Sequence, residues 1–266
     1  MKERIIGGFF VALVTLIALL SGGIVTTCIL TVVSIIGLWE YLRIHSLEKT
    51  LFAYVDYVFA IIIFVLVYIN KGNLLFSAMI MFLMILLAIY VFNFPKYKDD
   101  DVAKVVFSFI YVPIMLSFVL MIRNMEFGLY LAFYLLIASW GNDVCAYFVG
   151  RTIGKHKLSP KVSPNKSVEG FVGGILGAFL IGLLYAMVFP EMLPFTSSIW
   201  GGVVAAVAAM ASVIGDLAAS AIKRNHDIKD YSSLIPGHGG ILDRFDSVIY
   251  IAPIIYWLVK IIAYIQ

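Results

Sequence analysis

The sequence predicts an all-α protein that crosses a membrane about nine times. Two features of its composition support this: 62% of the 266 residues are hydrophobic and only 13% are charged, against about 45–50% and about 25% in soluble domains. The third observation is that the apolar residues form nine long runs. Lipid offers no partners for backbone N–H and C=O groups, so these runs must be helices rather than open strands.

Each run approaches or reaches the length of about 20 residues that a helix needs to cross a bilayer. The first run follows Met1-Lys2-Glu3-Arg4. We interpret it as a retained helix, because no convincing A-x-A cleavage site follows before the second run begins. The nine runs are 5–20, 24–42, 51–69, 74–94, 105–122, 127–149, 171–189, 199–222 and 247–265.

The basic residues are distributed very unevenly between alternate loops. If nine spans alternate, sixteen of the nineteen Lys and Arg residues fall on one side, and only Lys71, Arg123 and Lys260 fall on the other. By the positive-inside rule the side with sixteen faces the cytoplasm. This partition predicts a cytoplasmic N-terminus and an outside C-terminus.

Loop character divides the chain into two predicted domains. Residues 1–126 form five spans with short loops, and residues 127–266 form four spans with two polar cytoplasmic loops, at 150–170 and 223–246. The net charge of only +3 argues against a nucleic-acid-binding surface. Cys28 and Cys145 lie in apolar runs without metal-ligand spacing, so neither a disulfide framework nor a zinc site is expected.

The end of the eighth run carries polar residues at helical spacing. Asp216, Ser220, Lys223 and Asp227 stand at i, i+4, i+7 and i+11, which places them on one face of a helix. A carboxylate near the end of a membrane helix is costly unless it is paired, hydrated or bound to a metal. Two interpretations stay open: a structural Asp216–Lys223 pair and a functional site.

The segment that follows combines turn signals with acids. Pro236-Gly237 and Gly239-Gly240 are typical of turns, and glycines let backbone amides approach a phosphate closely. Asp243 and Asp246 stand at i, i+3 at the start of the last helix, so both carboxylates can face one cation. They can equally be helix caps, and His238 can be a loop histidine with no catalytic part.

The other polar loop and the helix before it supply further candidates. Lys166 and Glu169 stand in a polar run, Ser163–Gly170, immediately before an apolar helix, and Asp143 is an acid within an apolar run. Two interleaved G-x-x-x-G pairs follow, Gly170 with Gly174 and Gly173 with Gly177. We assign both pairs to close helix packing. The acidic run 99–101 lies between lysines and is interpreted as a solvated loop.

Residues 220–246, SAIKRNHDIKDYSSLIPGHGGILDRFD, resemble the signature of the phosphatidate cytidylyltransferases, also called CDP-diacylglycerol synthases. That pattern is a serine, Lys-Arg, four residues, Lys-Asp, a small residue, Pro-x-His-Gly-Gly and Asp-Arg-x-Asp. The runs at 143–147 and 163–170 are also similar to family segments. The signature positions are met by Ser220, Lys223, Arg224, Lys229, Asp230, Ser232, Pro236, His238, Gly239, Gly240, Asp243, Arg244 and Asp246.

The resemblance implies that CTP and phosphatidic acid react to give CDP-diacylglycerol and pyrophosphate. It implies magnesium as the cofactor, and a second bound cation is an open alternative. It implies a multi-pass protein of the inner (cytoplasmic) membrane, with its active site facing the cytoplasm, and a homodimer. No nucleic-acid partner is expected.

The resemblance also implies roles for particular residues. The catalytic set is Lys223, Arg224, Asp243 and Asp246. The metal set is Asp216, Asp243 and Asp246, with Asp143 as a further ligand. The substrate-binding set is Ser163, Lys166, Glu169, His238, Gly239, Gly240 and Arg244.

Three other classes of protein compete with this interpretation. A secondary transporter would place polar groups near the bilayer midplane between repeats, whereas here they gather at one face. A CDP-alcohol phosphotransferase would carry D-G-x-x-A-R followed by spaced aspartates, which the sequence lacks. A non-catalytic scaffold would leave the clustered carboxylates unexplained.

Overall fold

The computed structural model describes residues 2–266, with side chains from residue 6 onward, and it confirms an all-α polytopic membrane protein. Helices account for nearly all regular structure, and the described residues contain one short antiparallel hairpin of strands. The helices are α1 (Lys2–Ser21), α2 (Gly23–Ile44), α3 (Leu51–Tyr68), α4 (Leu75–Phe92), α5 (Asp99–Phe109), α6 (Met115–Arg123), α7 (Gly128–Leu136), α8 (Asn142–Ile153), α9 (Val168–Val188), α10 (Ser198–Asn225) and α11 (Leu242–Ile265).

Eight helical segments within the described residues are long and apolar enough to cross a membrane. They correspond to eight of the nine runs in the sequence. The first run forms α1, whose apolar part Ile6–Ser21 is shorter than a full span. The ninth crossing and the orientation of the termini therefore stay predictions.

Two of the eight spans consist of two α-helices joined by a π-helical turn. The turn Ile110–Ile114 joins α5 to α6, and Ile137–Gly141 joins α7 to α8. Pro113 lies inside the first turn. Proline has no N–H to donate and its ring crowds the preceding turn, which accounts for the departure from α-helical geometry there.

The acidic run 99–101 is not the loop that the sequence predicts, because these residues form the first turn of α5. The Asp101 carboxylate accepts a hydrogen bond from the Lys98 backbone N–H at 3.0 Å. Acidic side chains near a helix N-terminus are stabilised by the helix dipole. This favourable end effect explains why three consecutive aspartates begin a helix.

The chain divides into two compact units that do not follow a single cut in the sequence. Unit 1 runs up to Asn124 and also includes Asp230–Phe245, and unit 2 comprises Met125–Lys229 and Asp246–Gln266. The predicted division into domains near residue 126 stays a prediction. Unit 1 has an aromatic core, in which the rings of Phe82 and Phe109 stack with centroids 4.0 Å apart.

Glycines on α9 allow its close packing in unit 2, as the sequence predicts. A Cβ at Gly170 would lie 2.8 Å from the carbonyl oxygen of Ala146, and one at Gly177 would overlap Cys145. Gly173 and Gly174 meet α8 in the same way. Both interleaved glycine pairs therefore bring α9 against α8, which carries Asp143.

Both polar loops are shorter than the sequence predicts because helices extend into them. In the first loop, strands β1 (Lys157–Ser159) and β2 (Ser163–Ser167) form a hairpin with Lys157 opposite Ser167. In the second, α10 continues to Asn225 and α11 starts at Leu242. We call residues 226–241 the motif loop. Asp227 lies beyond α10 with a φ of 55°, so its expected place on the helical face is wrong.

Candidate active site

A cavity of about 600 Å³ in unit 2 brings together residues that are far apart in the sequence. Asp143 reaches it from α8, Ser163 and Lys166 from β2, and Asp216 from α10. We call this the hairpin cavity. Four of the site residues that the sequence predicts therefore line a single space.

An ion pair joins two of these residues, Lys166 and Asp216. The Ser220 hydroxyl donates to Asp216 Oδ1 at 3.4 Å from the next turn of α10. Asp143 is close enough to interact electrostatically with both members of the pair. The cavity wall thus carries two carboxylates and one ammonium. The ammonium suits a phosphate group, and the carboxylates suit a cation that is bound together with the phosphate.

Glu169 holds the hairpin that carries Lys166. Its carboxylate accepts hydrogen bonds from the backbone N–H groups of Lys155, at 3.0 Å, and His156, at 3.2 Å. The ring Nδ1 of His156 lies 2.6 Å from the same carboxylate. The carboxylate therefore contacts the start of the hairpin, and its predicted substrate contact stays a prediction.

Three further residues of α8 line the hairpin cavity, and none of them has a role predicted from the sequence, although Tyr147 ends the run 143–147 that is similar to a family segment. The exposed Arg151 guanidinium donates to the Tyr147 hydroxyl at 2.7 Å, and Asn142 is a buried amide at the start of α8. Asp143, Tyr147 and Arg151 recur every four residues, a spacing that puts them on one face of a helix. This periodicity was the available signal.

In unit 1, Asp243 joins two separate positions of the motif loop. Its Oδ2 accepts hydrogen bonds from the backbone N–H of Tyr231 at 2.8 Å and of Gly240 at 2.9 Å. Gly239 has a φ of 79°, and a Cβ there would lie 2.9 Å from Asp243 Oδ2. Gly239 is thus required both by the backbone conformation and by the close approach of this carboxylate.

His238 packs against α1 rather than standing free in the loop. A Cβ at Gly7 would lie 2.9 Å from His238 Nδ1 and 2.9 Å from the carbonyl oxygen of Pro236, and Gly8 also faces the ring. His238 Nδ1 is buried without a hydrogen-bond partner among the described residues. The two glycines of α1 therefore make room for the motif loop within unit 1.

Other predicted residues lie where helices begin or end. Lys223 is buried near the end of α10, and Arg224 is exposed and donates to the Ile228 carbonyl at 2.8 Å. Asp246 is buried in the first turns of α11, and its Oδ1 accepts from the Ser247 N–H at 2.6 Å. Arg244 is exposed on the first turn of that helix.

A buried glutamate of α2, Glu40, also contacts the motif loop. Glu40 is not among the site residues predicted from the sequence. The available signal was a single carboxylate inside the apolar span Gly23–Ile44, since ionisable residues within membrane spans usually mark functional positions.

The described residues contain no group of three or more His, Cys, Asp or Glu arranged to hold a metal ion by themselves. Magnesium usually needs only one or two protein carboxylates, because water and substrate phosphates complete its shell. Asp143 and Asp216, which share the hairpin cavity, fit this second kind of site.

Comparison with known proteins gives the class of the chain. Residues 2–262 match the model of the cytidylyltransferase family. A phosphatidate cytidylyltransferase of Bacillus subtilis is 32% identical, covering 98% of each chain. One from Haemophilus influenzae is 33% identical over 83% of this chain and 85% of its own, and one from Staphylococcus saprophyticus is 31% identical over 96% and 97%.

The chain therefore belongs to the cytidylyltransferase family. It is a nucleotidyltransferase embedded in a membrane by several apolar helices. The resemblance seen in the sequence is confirmed by both findings.

Proposed function

We propose that this enzyme transfers CMP from CTP to phosphatidic acid, giving CDP-diacylglycerol and pyrophosphate. The family match and the names of the relatives support the reaction class. The structural observation that carries the proposal is the hairpin cavity, where Asp143, Lys166 and Asp216 meet. A phosphate-rich substrate with a divalent cation is the ligand that this set of charges suits.

The substrates constrain where the reaction occurs. CTP is soluble and anionic, whereas the phosphate of phosphatidic acid lies at the membrane surface. We place the reaction at the cytoplasmic face of the inner membrane, because the basic residues of the hairpin and of the motif loop fall on the side that the positive-inside rule assigns to the cytoplasm.

The bond changes are those of an in-line displacement. An oxygen of the lipid phosphate attacks the α-phosphorus of CTP, and the bond from that phosphorus to the bridging oxygen of the β-phosphate breaks. The second pKa of phosphorylated side chains is about 6, so a lipid phosphate is largely dianionic near neutral pH and needs no dedicated base. Catalysis then consists of alignment and of neutralising charge on pyrophosphate.

We assign residues of the hairpin cavity to the phosphates and the cation. Lys166 contacts a phosphate oxygen, and Asp143 and Asp216 are ligands of magnesium, with Ser163 a further substrate contact from the same hairpin. When bound, magnesium supplies charge neutralisation and orients the phosphates. Without substrate, Lys166 forms an ion pair with Asp216. When substrate binds, this pair is replaced by a contact of Lys166 with phosphate and of Asp216 with the cation.

The signature residues of the motif loop and its flanking helices are assigned to the same reaction. Asp243 and Asp246 are further metal ligands, and Lys223, Arg224 and Arg244 are phosphate contacts. Gly239, Gly240 and His238 shape the loop around CTP, and Glu169 fixes the hairpin in addition to its predicted substrate contact. A homodimer is part of the proposal and rests on the resemblance alone.

The direct test is turnover by the purified protein in detergent with labelled CTP, phosphatidic acid and magnesium. We expect a lipid-soluble cytidine product and release of pyrophosphate. Diacylglycerol is the matched control, because it keeps the acyl chains and lacks the nucleophilic phosphate. Product with diacylglycerol, or none with phosphatidic acid, would overturn the proposed acceptor.

A further inference from the structure

The carboxylate of Glu40 binds the motif loop and the start of α11 through three hydrogen bonds within unit 1. Oε1 accepts from the Ser232 hydroxyl at 2.6 Å and from the Ile241 backbone N–H at 2.9 Å. Oε2 accepts from the Leu242 backbone N–H at 2.7 Å. Glu40 is fully buried, and in the described part of the chain it forms no ion pair with a lysine or arginine. The described contacts that hold this carboxylate are thus hydrogen bonds from the motif loop and from the start of α11.

Helix packing is adapted to this contact on both sides. A Cβ at Gly240 would overlap the Glu40 carboxylate, so only glycine fits there without a shift of the carboxylate. One turn before Glu40, a Cβ at Gly37 would lie 3.6 Å from the Leu242 side chain. Side chains three residues apart share a helix face, so one face of α2 receives the first turn of α11.

Two carboxylates divide the consecutive N–H groups at this turn between them. Asp243 accepts from Gly240, and Glu40 accepts from Ile241 and Leu242. The first N–H groups of a helix have no partner within the helix, and a residue of the adjoining segment ordinarily caps them. Here a residue of a distant helix supplies the cap, so α2 fixes the point at which α11 begins.

We propose that Glu40 is a positioning residue for the transfer reaction: by holding Ser232, Ile241 and Leu242 it sets the position of Asp243. The proposal rests on the function proposed above, in which Asp243 is a metal ligand. Glu40 itself contacts only the protein. Its effect on turnover is therefore exerted through the motif loop.

Glu40→Gln is the informative variant, because the amide keeps one acceptor oxygen and replaces the other with a donor. That NH₂ group would face the N–H of Leu242, and the cap would be lost without a large change in volume. We expect kcat to fall by about 10- to 100-fold, since a small displacement of a catalytic group can cost about 10²-fold in rate.

Asp56→Asn is the matched control in the same unit. Asp56 is also fully buried in a span, and its carboxylate accepts from the Ser108 hydroxyl at 2.7 Å. It has no contact with the motif loop among the described interactions. We expect this variant to keep the wild-type kcat and to show how far the loss of a buried carboxylate alone lowers the melting temperature.

The experiment measures kcat, the KM for CTP, melting temperature and hydrogen exchange at Ile241 and Leu242 for both variants. The proposal predicts faster exchange and a lower kcat per folded molecule for Glu40→Gln, with melting close to that of Asp56→Asn. Lower melting with unchanged kcat would overturn it, and so would unchanged exchange.

Ser232→Ala removes one donor and keeps the acid, so it serves if Glu40→Gln does not fold. We expect a fall in kcat of about 3- to 10-fold, which corresponds to the net value of about one hydrogen bond; an unchanged kcat would overturn the proposal. A wild-type protein without turnover would instead overturn the proposed function. Hydrogen exchange would in that case still decide whether Glu40 holds the loop.

Discussion

Lys166 on β2 and Asp216 on α10 form an ion pair on the wall of the hairpin cavity. Their side chains keep 25% and 33% of their surface exposed. Pairs with this degree of exposure contribute only about 0–1 kcal/mol to stability. The pair therefore does little to hold unit 2 together, and its two charges lie where a ligand can reach them.

The first prediction concerns Lys166→Met, which removes the ammonium and keeps most of the side-chain length. We expect turnover to fall by about 100-fold, equivalent to about 2.7 kcal/mol of activation free energy, while the melting temperature changes little. Lys161→Met is the control, because Lys161 is exposed in the same hairpin but does not line the cavity. Equal turnover of the two variants would contradict the phosphate role of Lys166.

The second prediction separates the charge of Asp243 from its hydrogen bonds. Asp243→Asn can still accept from Tyr231 and Gly240, so we expect it to fold and to lose turnover by about 100-fold or more as a metal ligand is lost. Asp243→Ala leaves two N–H groups unpaired, at a cost of about 1–3 kcal/mol each where they are buried. Its melting temperature should fall as well.

Turnover and thermal melting of both Asp243 variants are measured on the same preparations, at saturating magnesium. Near-normal turnover of Asp243→Asn would show that Asp243 acts only through the hydrogen bonds that close the motif loop. In that case the metal assignment would be wrong.

The third prediction tests the packing of α9 on α8. A Cβ at Gly174 would overlap the Asn142 side chain and lie 3.0 Å from the Ala146 Cβ, whereas a Cβ at Gly72 would meet no atom within 4 Å. We expect Gly174→Ala to lower stability by about 1–3 kcal/mol, as overpacking does. Gly72→Ala should melt like the wild type. If Gly174→Ala also melted like the wild type, the close approach of these helices would be wrong.

Local sequence signals account for the helices and for part of the site. Hydropathy predicts the spans, and the spacing of Asp243 and Asp246 predicts the start of α11. The cap from Glu40 joins residues 201 and 202 positions apart, because the carboxylate accepts from Ile241 and Leu242. A contact of that separation depends on tertiary packing and leaves no local periodicity, so the sequence did not predict it.

The hairpin of β1 and β2 was not predicted from the sequence for a different reason. Residues 157–167 contain Pro160, Pro164 and several lysines, a composition that favours a loop over a strand. The strands form because their ends are held: Glu169 accepts from the backbone of Lys155 and His156. Without this anchor, a two-stranded hairpin is only marginally stable in water.

The last prediction is the orientation of the chain. With Cys28 and Cys145 changed to alanine, one new cysteine is placed at Lys161 in the hairpin or at Lys71 between α3 and α4; both positions are exposed. The positive-inside rule puts Lys161 in the cytoplasm and Lys71 outside. An impermeant maleimide should label Lys71→Cys in intact cells and Lys161→Cys only after permeabilisation. Labelling of Lys161→Cys in intact cells would reverse the topology, and it would place the hairpin cavity on the side where cytoplasmic CTP is absent.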